Sequence, residues 1–306
     1  MRSLSRRDFC GAVTVSAALG LPVLRPRVAR AQSQRDLIRR GDVHVRTISG
    51  RNVVALAAAD GALLVDGGPA SEAAAILDWA STLPSAGTVR TLFNTCWHPE
   101  HTGLNATLGE AGATIIAHEN TRLWLTAEVT WPWNGQRFSP LPEVARPNKT
   151  FYHREQLSVG GEQVEYGHVR ACPHTDGDAY VFFPKANVLA VGDAVSSQGW
   201  PFIDWWTGGW IGGIVGGLET LLSVANAETL IVPGRGPLLS YAELKAQHQM
   251  YDVIYERLAT LLYSGRGPDE AVAALPTQEF DAKMGQSDEF VRVAFRSLWG
   301  YLAPDA

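Results

Sequence analysis

The segment Asn94-Thr95-Cys96-Trp97-His98-Pro99-Glu100-His101-Thr102-Gly103-Leu104-Asn105 places a thiol, two imidazoles and a carboxylate within six residues. These are metal-binding side chains. Zinc in particular takes Cys, His and carboxylate ligands, and a catalytic zinc keeps one position open. Three more candidates stand elsewhere: His174 in CPHTDGD, Asp193 in VLAVGDAVS and Arg235 in LIVPGRGP. Each is read as standing at a strand end. Strand ends that meet at one sheet edge are where ligand sites form. His44, His118, His153, His168 and His248 lack such company and read as ordinary core or surface residues.

The elements that must position these groups can be read from periodicity. DVHVRTISG alternates as a strand, and NVVALAAADGALLVDGG is two apolar runs around Asp60-Gly61, a hairpin signal. Apolar spacing predicts a helix from Ser71. TVRTLF is a strand leading into the Cys96 segment, and GATIIAHENT is another. Residues 124–150 have no clear period and read as a long loop with room for a helical turn. Strands return over 157–172 and 179–192. A helix is expected near 213–225, then the strand TLIVPG. Ser240 to Glu243 form a capping-box pattern that opens a helix. Two helical segments, near 268–274 and 287–302, finish the chain. This alternation suggests two packed sheets with helices outside, in one domain spanning 32–306. Residues 32–40 read as a leader.

The motifs resemble those of the metallo-β-lactamase fold superfamily, whose signature is T-H-x-H-x-D-H-x-G-G-N after a strand. Here it falls on Thr95 to Asn105. The family's next metal His falls on His174, its bridging Asp on Asp193, and its last His on Arg235; LLVDGG, with Asp66, matches its early strand motif. The resemblance implies an α/β fold, a four-layer αββα sandwich, with two zinc ions at one edge and hydrolysis of an ester, thioester, amide or phosphoester; for this chain the expected bond is an ester, lactone, thioester or amide.

The departures fall on ligands. Cys96 replaces the first His, Glu100 the Asp, Arg235 the last His, and Leu104 a Gly. The first metal position keeps Cys96, His98 and His174, a sound zinc set, with Asp193 as a possible fourth ligand. The second offers Glu100, His101 and Asp193, with Arg235 where a neutral donor belongs. Arginine stays cationic and does not coordinate. A unit charge about 4 Å away interacts by roughly 4 kcal/mol at an effective dielectric of 20, and a dication doubles that. One zinc is therefore expected rather than two, with the Arg235 guanidinium paired to Glu100 or Asp193. A site without metal is the alternative. Glu100, Asp193 and Arg235 are the candidate catalytic groups: the carboxylates to orient or deprotonate water, the guanidinium to hold an anionic group.

Trp124, Trp131, Trp133, Trp200, Phe202, Trp205, Trp206 and Trp210 flank this edge in the resembled fold and could wall a pocket for a bulky anionic substrate. The competing reading is a non-catalytic small-molecule-binding protein. A Cys96–Cys172 disulfide, which would withdraw Cys96 from the metal, is a further alternative, with a redox role as its extension.

The N-terminus carries Ser5-Arg6-Arg7-Asp8-Phe9, an apolar run from Cys10 to Leu24, and Ala29-Arg30-Ala31. This is the layout of a twin-arginine signal peptide over residues 1–31, and implies export to the periplasm. Removing it leaves 20 Lys+Arg against 30 Asp+Glu, an acidic chain with no basic stripe. Nucleic acid is excluded as a partner on that ground. No other run is long and apolar enough for a stable span after cleavage.

Overall fold

The computed structural model describes residues 37–84 and 87–302; the signal peptide expected over residues 1–31 lies outside the described residues. The first half contains β1 (Leu37–Arg40), β2 (Val43–Ile48), β3 (Arg51–Leu56), β4 (Ala62–Val65), α1 (Ala73–Ser81), β5 (Val89–Phe93), α2 (Pro99–Thr102), α3 (Asn105–Glu110), β6 (Thr114–His118), α4 (Glu119–Thr126), β7 (Val129–Thr130), β8 (Arg137–Phe138) and β9 (Lys149–Phe151). The second half contains β10 (Glu155–Val159), β11 (Glu162–His168), β12 (Ala179–Phe183), β13 (Val188–Gly192), α5 (Ile211–Val224), β14 (Leu230–Pro233), α6 (Tyr241–Tyr263), α7 (Pro268–Ala273), α8 (Asp281–Met284) and α9 (Asp288–Leu302).

The two larger sheets are ordered β1-β2-β3-β4-β5-β6-β9 and β10-β11-β12-β13-β14, beside the small β7-β8 pair. The pairs β4–β5, β5–β6, β6–β9 and β13–β14 are parallel. Period-2 alternation assigns the faces. Leu63, Val65, Phe93 and Ile116 pack with Val181, Phe183, Val188 and Ala190 between the sheets. Leu64, Leu92 and Ile115 face the other way, against Ile76 and Trp79 of α1 and Leu108 of α3. Tyr180, Leu189 and Val191 meet Ile214 and Leu218 of α5, Tyr251 and Ile254 of α6, and Phe295 of α9. Both faces of each sheet are thus covered, which explains why the central strands read as unbroken apolar runs. The layers are α, β, β, α, as expected.

Three local expectations are corrected. Leu37–Arg40 is no leader but an edge strand, paired antiparallel to β2 from Leu37↔Arg46 to Arg40↔Val43. It is mostly exposed, so it carries no hydrophobic alternation. The stretch 124–150 is more ordered than a loop: it holds the end of α4, the β7–β8 hairpin and β9. The long strands expected over 157–172 and 179–192 are each broken by a turn, giving β10 to β13. The Ser240 cap forms as expected: Ser240 Oγ accepts from Glu243 N–H, and Ser240 N–H donates to Glu243 Oε2 at 2.8 Å. Among the described residues no helix is long and apolar enough to cross a membrane.

Candidate metal centre

Four strands deliver the candidate residues to one edge. Asp66 follows β4, the Cys96–His101 segment follows β5, Asp193 follows β13, and Arg235 follows β14. His174 enters from the loop before β12. The segment is clamped at its own ends: Asn94 Nδ2 donates to Asn105 Oδ1 at 3.0 Å, and Asn105 Nδ2 to Asn94 Oδ1 at 2.9 Å. Both are fully buried. Gly192 lies in the left-handed region at φ 54°, and a Cβ there would sit 2.1 Å from Thr95 Oγ1. β13 can therefore approach the segment closely only with glycine at its end. Gly213 of α5 likewise lets Cys172 O come within 2.3 Å of where its Cβ would be, which seats the His174 loop against that helix.

Cys96, His98 and His174 converge, with one donor atom from each lying within 4.8 Å of the others. Each residue is 1% exposed. The two imidazoles stand at 90° with centroids 4.5 Å apart. Each is oriented by a carboxylate. His98 Nε2 lies 2.9 Å from Asp204 Oδ2, and His174 Nδ1 lies 3.2 Å from Asp178 Oδ1. These contacts leave His98 Nδ1 and His174 Nε2 as the donors. Both carboxylates are themselves fixed. Asp178 accepts from the N–H groups of His174 and Thr175, and Asp204 from Thr207 N–H and Trp131 Nε1. A carboxylate behind a histidine is the usual second partner of a metal-ligating imidazole.

His174 Nε2 is buried and has no hydrogen-bond partner. Such an atom costs about 1–3 kcal/mol unless something occupies its lone pair or takes its proton. Thiolate and two imidazoles aimed at one point are suited to a zinc-like divalent cation, so the residues present fit a metal. Burial disfavours charge on His98, and the neighbouring His174 adds to this, so its pKa falls below the ordinary imidazole value despite Asp204. Burial opposes charge on His174 too, but Asp178 and Cys96 outweigh it and raise its pKa.

The second metal position is built differently. His101 Nδ1 lies 2.8 Å from Asp66 Oδ2, while its Nε2 lies 3.2 Å from Asp193 Oδ2 without hydrogen-bond geometry. Asp66 holds its place at φ 63°, also accepting from Thr95 N–H and Thr95 Oγ1–H at 2.8 Å each. Asp193 resists protonation: burial works against its charge, but His101 overrides this and pulls the pKa far down.

The expected pairing of Arg235 with Glu100 or Asp193 is corrected. Glu100 Oε1 pairs with Arg51 Nη2 at 3.6 Å. Arg235 is exposed and has no carboxylate within 4 Å among the described residues. The two arginines are neighbours, because Arg51 and Arg235 form an antiparallel bridge between β3 and the turn after β14. Arg51, absent from the sequence reading, thus brings a second guanidinium to this edge.

Cys96 and Cys172 are both free, so neither the disulfide nor the redox role built on it is supported. Burial pushes the Cys172 thiol up to about 12, which favours the protonated form over the thiolate. The tryptophans divide into two groups. Trp124 and Trp210 serve packing, donating to Asp176 Oδ1 at 2.7 Å and Ala171 O at 2.9 Å. Trp131 stands edge-on to His98 at 5.5 Å and stacks on Trp133 at 4.9 Å. Phe202 lies 5.9 Å from the His98 ring and 6.0 Å from that of His174.

Sequence reasoning placed Cys96, His98, Glu100, His101, His174, Asp193 and Arg235 at this edge. It missed Asp178, Asp204 and Arg51. Asp178 carries a readable signal, a carboxylate four residues after a candidate ligand; the other two come only through the fold.

A family model described as the metallo-β-lactamase superfamily matches residues 46–246. Solved structures are similar in fold. A metallo-β-lactamase from Pontibacter korlensis superposes with a TM-score of 0.56 at 18% identity, covering 71% of this chain and 98% of that one. The DIM-1 metallo-β-lactamase gives 0.54 at 18%, covering 71% and 97%. A double mutant of the sec-alkyl sulfatase PisA1 gives 0.62 at 15%, covering 89% of this chain and 51% of that one. No curated protein matches the sequence.

Proposed function

Because the chain belongs to the metallo-β-lactamase superfamily, we propose that it is a hydrolase with one zinc ion held by Cys96, His98 and His174. The observation that carries this is the convergence of those three buried donors, with each imidazole's other nitrogen held by a carboxylate and His174 Nε2 left without a partner. When bound, such an ion supplies Lewis acidity and a water of lowered pKa. Asp193, anionic and 12% exposed on its side chain, would orient a water at this edge, its lowered pKa suiting it to accept a hydrogen bond rather than a proton. Glu100 is held by Arg51, and its pKa, like that of Asp193, is lowered by neighbouring histidines against burial, so it too is better suited to orienting water than to taking its proton. Arg235 binds an anionic group of the substrate or a developing oxyanion. The bond cleaved is an ester, lactone, thioester or amide. Neighbours named as lactamases and a sulfatase support hydrolysis as the reaction class. The single ion is supported by Arg51 and Arg235, two cations beside the position where a second metal would sit. Export to the periplasm rests on the twin-arginine pattern alone.

Elemental analysis of protein purified without chelators, with cobalt substitution, tests the reading. The expected result is about one metal per chain and a thiolate-to-cobalt charge-transfer band that disappears in Cys96→Ser. A metal-free protein that takes up no cobalt overturns it. A second reading, a ligand-binding protein without catalysis, is favoured by the closed Asp66–His101–Asp193 and Arg51–Glu100 contacts. It predicts ligands that raise the melting temperature unconsumed, and activity only after Cys96→His and Arg235→His are combined.

A further inference from the structure

Beside the metal centre lies a cavity of ≈ 580 Å³ between the 200–205 loop and α9. Trp133, Phe202, Trp205 and Phe290 line it, together with Arg235. Arg235 and Phe202 also border Asp193, so the cavity and the metal edge share a wall. The volume is that of a small-molecule site.

Its charge is unbalanced. Arg292 and Arg296, one turn apart on α9, face it together with Arg235, against the single carboxylate of Glu289. Arg292 is already paired with Asp269. Arg296 has no carboxylate within 4 Å among the described residues; its guanidinium lies over the Trp205 ring, 5.6 Å from the centroid. Stacking on an aromatic face holds a guanidinium in place while leaving its N–H edge free to donate. A largely apolar chamber lined by Arg235 and Arg296, neither with a carboxylate within 4 Å among the described residues, in a chain of net charge −5, selects for anions that carry an apolar body.

We propose that this cavity binds the non-reacting part of the substrate, and that the substrate is an amphiphilic anion: an alkyl or aryl body against Trp133, Phe202 and Phe290, with a carboxylate or comparable anion on Arg296, and the scissile bond beside Arg235. The inference rests on the hydrolase reading of the metal centre for its orientation, but the binding it describes is measurable without turnover.

Calorimetry with decanoate and 1-decanol on the protein as purified tests it. Decanoate is expected to bind roughly tenfold tighter, the value of a charge-assisted contact of about 1.4 kcal/mol. Arg296→Gln should abolish the difference without weakening decanol, and Arg296→Lys should keep part of it. Equal affinities in the native protein, or a preference that survives Arg296→Gln, overturn the proposal. A parallel assay compares the mono-p-nitrophenyl ester of decanedioate with p-nitrophenyl decanoate. Selective decanoate binding without hydrolysis of either ester counts against the hydrolase reading and leaves the cavity assignment standing. Hydrolysis of both esters at equal kcat/KM, with no selective binding, does the reverse.

Discussion

Asp204 Oδ2 lies 2.9 Å from His98 Nε2, across 106 residues of sequence, and both side chains are essentially solvent-free. This contact fixes the ring so that Nδ1 faces Cys96 and His174. Asp204→Asn keeps the shape and the oxygen that accepts from Thr207 N–H, but removes the charge. Metal affinity, read by competition with a chromophoric chelator, is expected to fall roughly 10–100-fold, the usual effect of losing such a partner. Unchanged affinity with a normal fold would mean that His98 does not ligate.

Arg51 and Arg235 are held side by side by the bridge between β3 and the turn after β14. If their charge keeps the second position empty, removing it should open that position. Arg235→His alone supplies a neutral donor but leaves Arg51 on Glu100. Combined with Arg51→Met, it is expected to raise zinc content from about one to about two per chain, because Glu100, His101 and Asp193 are then free to coordinate. A double variant that still holds one ion would place the obstruction elsewhere.

The site's legibility followed sequence distance. Cys96, His98, Glu100 and His101 sit in one loop, so their types and spacing were enough to suggest a metal. His174, Asp193 and Arg235 were found because each stands in a motif resembling the family's; Asp193 and Arg235 follow β13 and β14, whereas His174 lies in the loop before β12. Arg51 could not be found that way: it begins an ordinary strand and becomes relevant only through the β3 contact with the other half of the molecule. Asp204 lies in an aromatic loop, and nothing local ties it to His98. The same logic explains the fold. Central strands and long helices with one apolar face were readable, whereas β1 is a short exposed edge strand. Helix α4 is capped by the side chain of His118, outside the usual Ser, Thr, Asp and Asn signals.

The reciprocal Asn94–Asn105 pair closes the ligand loop, and each side chain has a further backbone acceptor: His101 O for Asn94, Ala145 O for Asn105. Asn105→Ala leaves Asn94 with an unsatisfied buried oxygen and frees the Ala145 carbonyl. The expected loss is about 1–3 kcal/mol per stranded group, seen as a lower midpoint in urea with an unchanged slope. Because the pair sets the loop's ends, metal release should also quicken. Loss of stability without faster release would separate the clamp from the site.

His118 and His168 stack with centroids 3.8 Å apart, and His118 Nδ1 accepts from Asn120 N–H at 3.2 Å. Burial, reinforced by His168, lowers the His118 pKa to about 4; burial lowers that of His168 as well. The unfolded chain, with an ordinary imidazole near 6.5, therefore binds more protons between those values, so stability must rise with pH there. The contribution is complete above about pH 6.5 and lost as the pH falls toward 4, when a proton on Nδ1 also breaks the α4 cap. Urea midpoints of chelator-treated protein, measured from about pH 7.5 to about 4.5, should decline on the acid side. His118→Asn keeps a capping oxygen and cannot titrate, so its decline should be shallower. If the two curves are parallel, the acid sensitivity belongs to other groups.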